Sequence, residues 1–118
     1  MPQYAVMFPA DNEVDWEAAT EAERQVTFDT DYEFGQRLAA RGGAVTGGAG
    51  LMDSRHARTL RRGDDSQPVV SEGPSRPGDE QLTGFFLVSC DDYDALVEAA
   101  EVLVQVHPVV EIRPVTEF

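Results

Sequence analysis

Four consecutive apolar residues, Phe85-Phe86-Leu87-Val88, stand between Gly84 and Ser89. Successive side chains of a strand point to opposite faces, so a strand of this composition is apolar on both sides. A sheet built around it must be covered twice. Helices can cover one face, and a second copy of the same sheet is the simplest cover for the other. The run therefore predicts a central strand and a homodimer.

The rest of the chain supplies the elements around that strand. Tyr4 to Phe8 is an apolar run ended by Pro9, which predicts a strand. Thr20-Glu21-Ala22-Glu23 has the capping-box spacing, in which hydroxyl and carboxylate satisfy the first free amides of a helix. That helix is expected to run to about Arg41, where Gly42-Gly43 stops it. Ala44 to Met52 reads as a strand loosened by Gly47, Gly48 and Gly50. Ala57–Arg62 and Gln67–Glu72 flank the turn-rich Gly63-Asp64-Asp65-Ser66, predicting a β-hairpin arm. Gly73 to Asp79 reads as a loop. Asp91-Asp92 caps a second helix, with Tyr93, Leu96, Val97, Ala100 and Leu103 as its expected apolar face. Val109 to Val115 is the last strand. Without the arm the order is β-α-β-β-α-β, an α+β, ferredoxin-like antiparallel sheet with both helices on one face.

Length and composition bound the chain further. At 118 residues it is expected to be one domain, residues 1–118. The net charge of −13 disfavours nucleic acid, whose phosphates need clustered cations. All nine basic residues are arginine, so Schiff-base chemistry through a lysine is excluded. No apolar stretch approaches transmembrane length, so no membrane is expected as a partner. The single cysteine, Cys90, cannot form an internal disulfide, and Met1-Pro2-Gln3-Tyr4 lacks the pattern of a signal peptide. The expected location is the cytoplasm.

Three stretches carry a resemblance. Glu72-Gly73-Pro74 is followed by Glu80-Gln81-Leu82-Thr83-Gly84-Phe85-Phe86, and the chain closes on Glu111-Ile112-Arg113-Pro114-Val115. With Phe34, Leu38 and Gly42 at a helix end, these resemble the YCII-related proteins, in particular the subgroup named for an Asp-Gly-Pro-Phe signature. The resemblance spans about Tyr4 to Val115 and implies a dimeric α/β barrel. The departures are specific. Glu72 replaces the signature's aspartate and Ser75 its phenylalanine, and Pro77-Gly78-Asp79-Glu80 stands where the family has Glu-Thr-Lys-Glu. Relatives in the broader family carry a histidine on the first helix that acts with an aspartate as an acid–base pair. That position falls at Asp31, and no histidine stands on this helix. The role is therefore not carried over.

Asp31 is nevertheless the sharpest site candidate. Phe28, Tyr32, Gly35, Leu38 and Ala39 are expected on one stripe of the first helix, and Asp31 falls inside it. Either it sits at the stripe's edge and reaches water, or it is buried and must be paired, hydrated or protonated. In the second case it is a candidate acid or base, with Arg113 and the Tyr32 hydroxyl as expected partners. Glu72, Glu111, Arg113, Tyr32 and His56 are the expected pocket residues. Glu111 and Arg113 share a strand face and either line a cavity or pair with a neighbouring strand. His56 is a site histidine or an exposed turn residue. His107, before Pro108, is expected to be structural, and Cys90 a small buried filler. No metal site is expected, because the two histidines lie far apart without paired ligands. No cofactor is expected; the glycines from Gly42 to Gly50 lack the Lys-Ser or Lys-Thr of a phosphate loop.

Two functional classes follow. One is an enzyme or small-ligand-binding protein with a pocket between the first helix and the sheet. The other is an accessory or regulatory protein acting through protein contacts. Proteins resembling this one are often encoded beside alternative sigma factors, which would make a transcription factor the partner.

Overall fold

The Phe85–Val88 run lies inside a four-stranded antiparallel sheet. The computed structural model describes residues 1–117. In it, β1 (Gln3–Met7), β3 (Ala44–Gly50), β7 (Gly84–Ser89) and β8 (Glu111–Pro114) pair in the order β3-β7-β1-β8. Two short pairings stand apart: β2 (Asp11–Asn12) with β6 (Glu80–Gln81), and β4 (Arg58–Arg62) with β5 (Pro68–Glu72). Three helices accompany them, α1 (Glu13–Ala18), α2 (Glu21–Ala40) and α3 (Tyr93–Ala100), the last continued by a 3₁₀ turn over Glu101–Gln105. The fold is mixed α+β. No helix among the described residues is long and apolar enough to cross a membrane.

Helix α2 starts and stops where its sequence says. Thr20 Oγ1 accepts from the Glu23 amide, and the Glu23 carboxylate accepts from the Thr20 amide. At the other end Gly42 adopts φ 83°, and the amides of Gly42 and Gly43 return to the carbonyls of Ala39 and Leu38. Gly43 is also fixed by space. A Cβ there would lie 2.6 Å from Leu38 Cδ1 and 2.8 Å from the Ser89 carbonyl.

The core forms between this helix layer and one sheet face. Phe34, Leu38, Leu96 and Leu103 from the helical side meet Tyr4, Val6, Phe8 and Val88 from the strands. Burying each such large side chain contributes roughly 1.5–3 kcal/mol. Leu38 on α2, and Leu96, Ala100 and Leu103 on α3 and its 3₁₀ continuation, are buried as expected, but each face is rotated from the expected stripe. On α2 the buried side chains are Phe34 and Leu38, while Phe28 is 53% exposed and Tyr32 70%. On α3 the buried residues are Ala95, Leu96, Ala99 and Ala100, leaving Tyr93 and Val97 partly exposed. Alanines beside leucine shift an apolar face without marking it, because their own hydropathy is weak.

The opposite sheet face carries Ala5, Met7, Phe85 and Leu87, all half-buried in the single chain. Glu111 and Arg113 lie beside them on β8, opposite Met7 and Ala5. The molecule is thin, with extents of 51 × 43 × 18 Å, about one sheet and one helix layer. Its radius of gyration is 16.3 Å, against about 13.5 Å for a compact chain of this length. The β4–β5 arm contributes to this expansion: Leu60, Val69 and Val70 on it are all more than half exposed.

Candidate functional site

The site begins at the end of β1. Phe8 pairs through its amide and carbonyl with Gly84 and Thr83, which carries the chain over the open end of the sheet towards Asp11. From the other direction, the amides of Val106 and His107 close the 3₁₀ turn on the Leu103 carbonyl. That turn aims the His107 ring back across the sheet end. The ring stacks on Phe8, with centroids 3.7 Å apart and planes 7° from parallel. The third side chain arrives from α2. Asp31 stands one turn before Phe34 and two before Leu38, on the same buried stripe.

These residues form one chain of hydrogen bonds. His107 Nδ1 lies 2.8 Å from Asp11 Oδ2, and His107 Nε2 lies 2.9 Å from Asp31 Oδ1. Thr83 Oγ1 donates to the same Asp11 oxygen at 2.6 Å. The histidine side chain is only 5% exposed, and the two carboxylates 18% and 21%. Burial is the largest single influence on the ring and disfavours its charge. The hydrogen bonds to Asp11 and Asp31 and the charges behind them together outweigh it, raising the pKa to about 9. At neutral pH His107 is thus an imidazolium, donating from both nitrogens to two carboxylates.

A cleft of about 990 Å³ opens beside this chain, between α2 and β3, with α1 along its edge. Phe8, Trp16, Phe28 and Phe86 line it, together with Asp11, Asp31 and His107. No side chain of α1 is buried, so the helix is held by polar clips instead. Glu13 accepts from the Ser54 amide and hydroxyl. Arg24 on α2 donates to the carbonyls of Trp16 and Glu17 and lies 5.3 Å over the Trp16 ring. Across β3, Gly48 has φ 140°, and a Cβ there would collide with the Phe85 carbonyl. The glycines expected to loosen this strand therefore also set the cleft's far wall.

The structure brings one expected site residue, Asp31, to the cleft. It pairs with His107 and not with Tyr32 or Arg113. Tyr32 points to solvent because the buried stripe of α2 runs through Phe34. Arg113 lies on the sheet face away from the helices and pairs with Glu111 of its own strand at 2.8 Å, both well exposed. The pair is neither part of the cleft lining nor a link to a neighbouring strand. Glu72 lies exposed at the end of β5, and His56 exposed in a 3₁₀ turn after β3; neither lines the cleft. His107, expected to be structural, is the central member of the chain.

Asp11 and His107 are 96 residues apart, and Asp31 and His107 76. No local spacing connects them. The one available signal was a carboxylate inside an apolar stripe, which demands a partner without naming it. Among the described residues no group of three or more His, Cys, Asp and Glu side chains is arranged to hold a metal ion. Cys90 is buried, its thiol donating to the Asp92 carbonyl.

Chemically, the arrangement stores a proton. Among the described residues nothing hydrogen-bonds to Asp31 Oδ2, and that oxygen is not buried. Asp31 thus has one oxygen on the imidazolium and one free. A proton taken at Oδ2 leaves a neutral carboxyl still hydrogen-bonded at Oδ1 to the imidazolium, whose charge stays paired with Asp11, and the same Oδ2 can return that proton. Comparison with models of known protein families finds no match, and no curated protein matches the sequence.

Proposed function

We propose that this chain is a YCII-related protein that binds a small molecule in the cleft between α2 and β3, with Asp31 as acid or base backed by His107. The observation that carries this reading is the Asp11–His107–Asp31 chain beside a cleft of about 990 Å³. Charged groups held against burial concentrate at working sites. The resemblance supports it in an unexpected way. The position where relatives carry a histidine holds Asp31 here, and the histidine that meets it arrives from the turn before β8. A histidine and an aspartate thus meet here at the position where the resemblance places a histidine.

The strand order β3-β7-β1-β8, with α2 and α3 packed together, supports the ferredoxin-like arrangement. The half-buried Met7, Phe85 and Leu87 support a homodimer that closes two sheets into an α/β barrel. A cytoplasmic location belongs to the same reading.

The test is a fragment screen followed by amide NMR on wild type and Asp31→Asn. Binding is expected to move amides of Thr27, Phe28, Asp31 and Gly48, and to weaken in the variant. Fragment responses confined to the β4–β5 arm would favour the accessory reading, which the arm's exposed Leu60, Val69 and Val70 support.

A further inference from the structure

The charges around the cleft are unevenly committed. Two arginines border it, Arg24 and Arg55. The Arg24 guanidinium donates through Nε and Nη2 to the Trp16 and Glu17 carbonyls and lies over the Trp16 ring. Arg55 pairs with Glu17 at 3.4 Å. The third cation, His107, spends both ring nitrogens on Asp11 and Asp31. An anionic ligand would meet a lining in which carboxylates outnumber these three cations. Asp31 Oδ2, by contrast, is a free acceptor of formal negative charge with no partner among the described residues. Beside it, Trp16 and Phe28 meet edge to face, their centroids 5.6 Å apart, and remain 39% and 53% exposed. Aromatic side chains left this accessible in a concave wall offer area to an apolar body.

We propose that the cleft takes a small amine with an apolar or aromatic body, its ammonium donating to Asp31 Oδ2 and its body resting on Trp16 and Phe28. This rests on the cleft being the ligand site. An ammonium-to-carboxylate bond is charge-assisted and stronger than the same contact from a neutral hydroxyl. The surplus of carboxylates at the cleft also draws cations towards it and repels anions. Chemically, the class is coherent with an acid–base aspartate, since an amine is itself a proton donor to Oδ2.

Three probes of matched shape test the assignment: 2-phenylethylamine, 2-phenylethanol and 3-phenylpropanoate, each titrated into the full chain at pH 7 and followed by amide NMR. The amine is expected to bind about tenfold more tightly than the alcohol, and the carboxylate more weakly than either. In Asp31→Asn the amine should fall to the alcohol's affinity while the alcohol is unchanged. Equal or tighter binding of the carboxylate by wild type overturns the amine assignment and leaves the cleft as a site. Failure of all three to move cleft amides overturns both. The wild-type series decides by itself should the variant not fold.

Discussion

Asp31 and His107, 76 positions apart in the sequence, meet at 2.9 Å, one from the buried stripe of a helix and the other from a turn. The contact ties the helix layer to the end of the sheet. Its partner contact, from His107 to Asp11 at 2.8 Å, ties the same ring to the segment leaving β1. One imidazole thus joins three parts of the fold, and its protonation should be felt by all of them.

Stability should fall on the alkaline side. The pKa of His107 is raised from 6.5 to about 9, so folding favours the protonated ring. Its contribution is complete below about pH 6.5 and is lost as the pH rises through about 9. A shift of this size corresponds to up to about 3 kcal/mol, and screening through the partly open carboxylates lowers it to roughly 1–2 kcal/mol. Urea unfolding from pH 6 to 10 should show this decline in wild type, and His107→Asn should flatten it. Equal slopes for the two proteins would contradict the ion pairing.

Removing the cation should cost more than removing one anion. His107→Ala leaves Asp11 and Asp31 without their shared counter-ion and should destabilise by about 2–4 kcal/mol. Asp31→Asn keeps a hydrogen bond to the ring and should cost about 1–2 kcal/mol. The double variant should be less damaged than the sum, with a coupling of at least about 0.5 kcal/mol. Additive effects in urea unfolding would mean that the two residues do not act together.

Gly43→Ala should be among the worst single-methyl changes in the chain. Its new Cβ meets the Leu38 side chain at 2.6 Å and the Ser89 carbonyl at 2.8 Å, and only the first can yield. A loss of about 1–3 kcal/mol is expected. Gly50→Ala, with open space around it, is the control and should stay within about 1 kcal/mol. Thermal melts of the two variants decide the comparison.

Assembly is measurable directly. If the half-buried face of Met7, Phe85 and Leu87 meets its own copy, the pair should bury more than about 1,000 Å² in total. Sedimentation of wild type at micromolar concentration should then give a dimer, and Leu87→Glu a monomer. A wild-type monomer removes the barrel reading.

In the arm, hydrogen exchange should be fastest around Asp64–Ser66, where Asp65 and Ser66 adopt φ of 61° and 62°. Protection there exceeding that of β1 and β7 would mean that something covers the arm.

The elements that could be read from sequence were those with a local cause. The capping box at Thr20, the glycine stop after Arg41 and the hairpin around Gly63 each act within a few residues. Helix phase was harder. Helical spacing put Phe28 and Tyr32 on the expected stripe, yet Phe34 took the core position, because packing chooses among aromatics that spacing alone cannot rank. The short β2, α1 and β6 carry too few residues for any period to show. The partner of Asp31 was out of reach for a different reason. His107 is placed by a 3₁₀ turn and by stacking on Phe8, and neither leaves a mark near Asp31 in the sequence.

Gln81 is 8% exposed, and its side-chain nitrogen donates to the carbonyls of Arg76 and Gly78. The loop before β6 is therefore anchored through its backbone, not through the side chains it displays. Its composition is free to drift over generations while its path stays the same. Gly73, at φ 98°, and Gly78, at φ 115°, are bound to their identity. The side chains of Arg76, Pro77 and Asp79 can accordingly be exchanged, rewriting that surface while Asp31 and His107 stay in place.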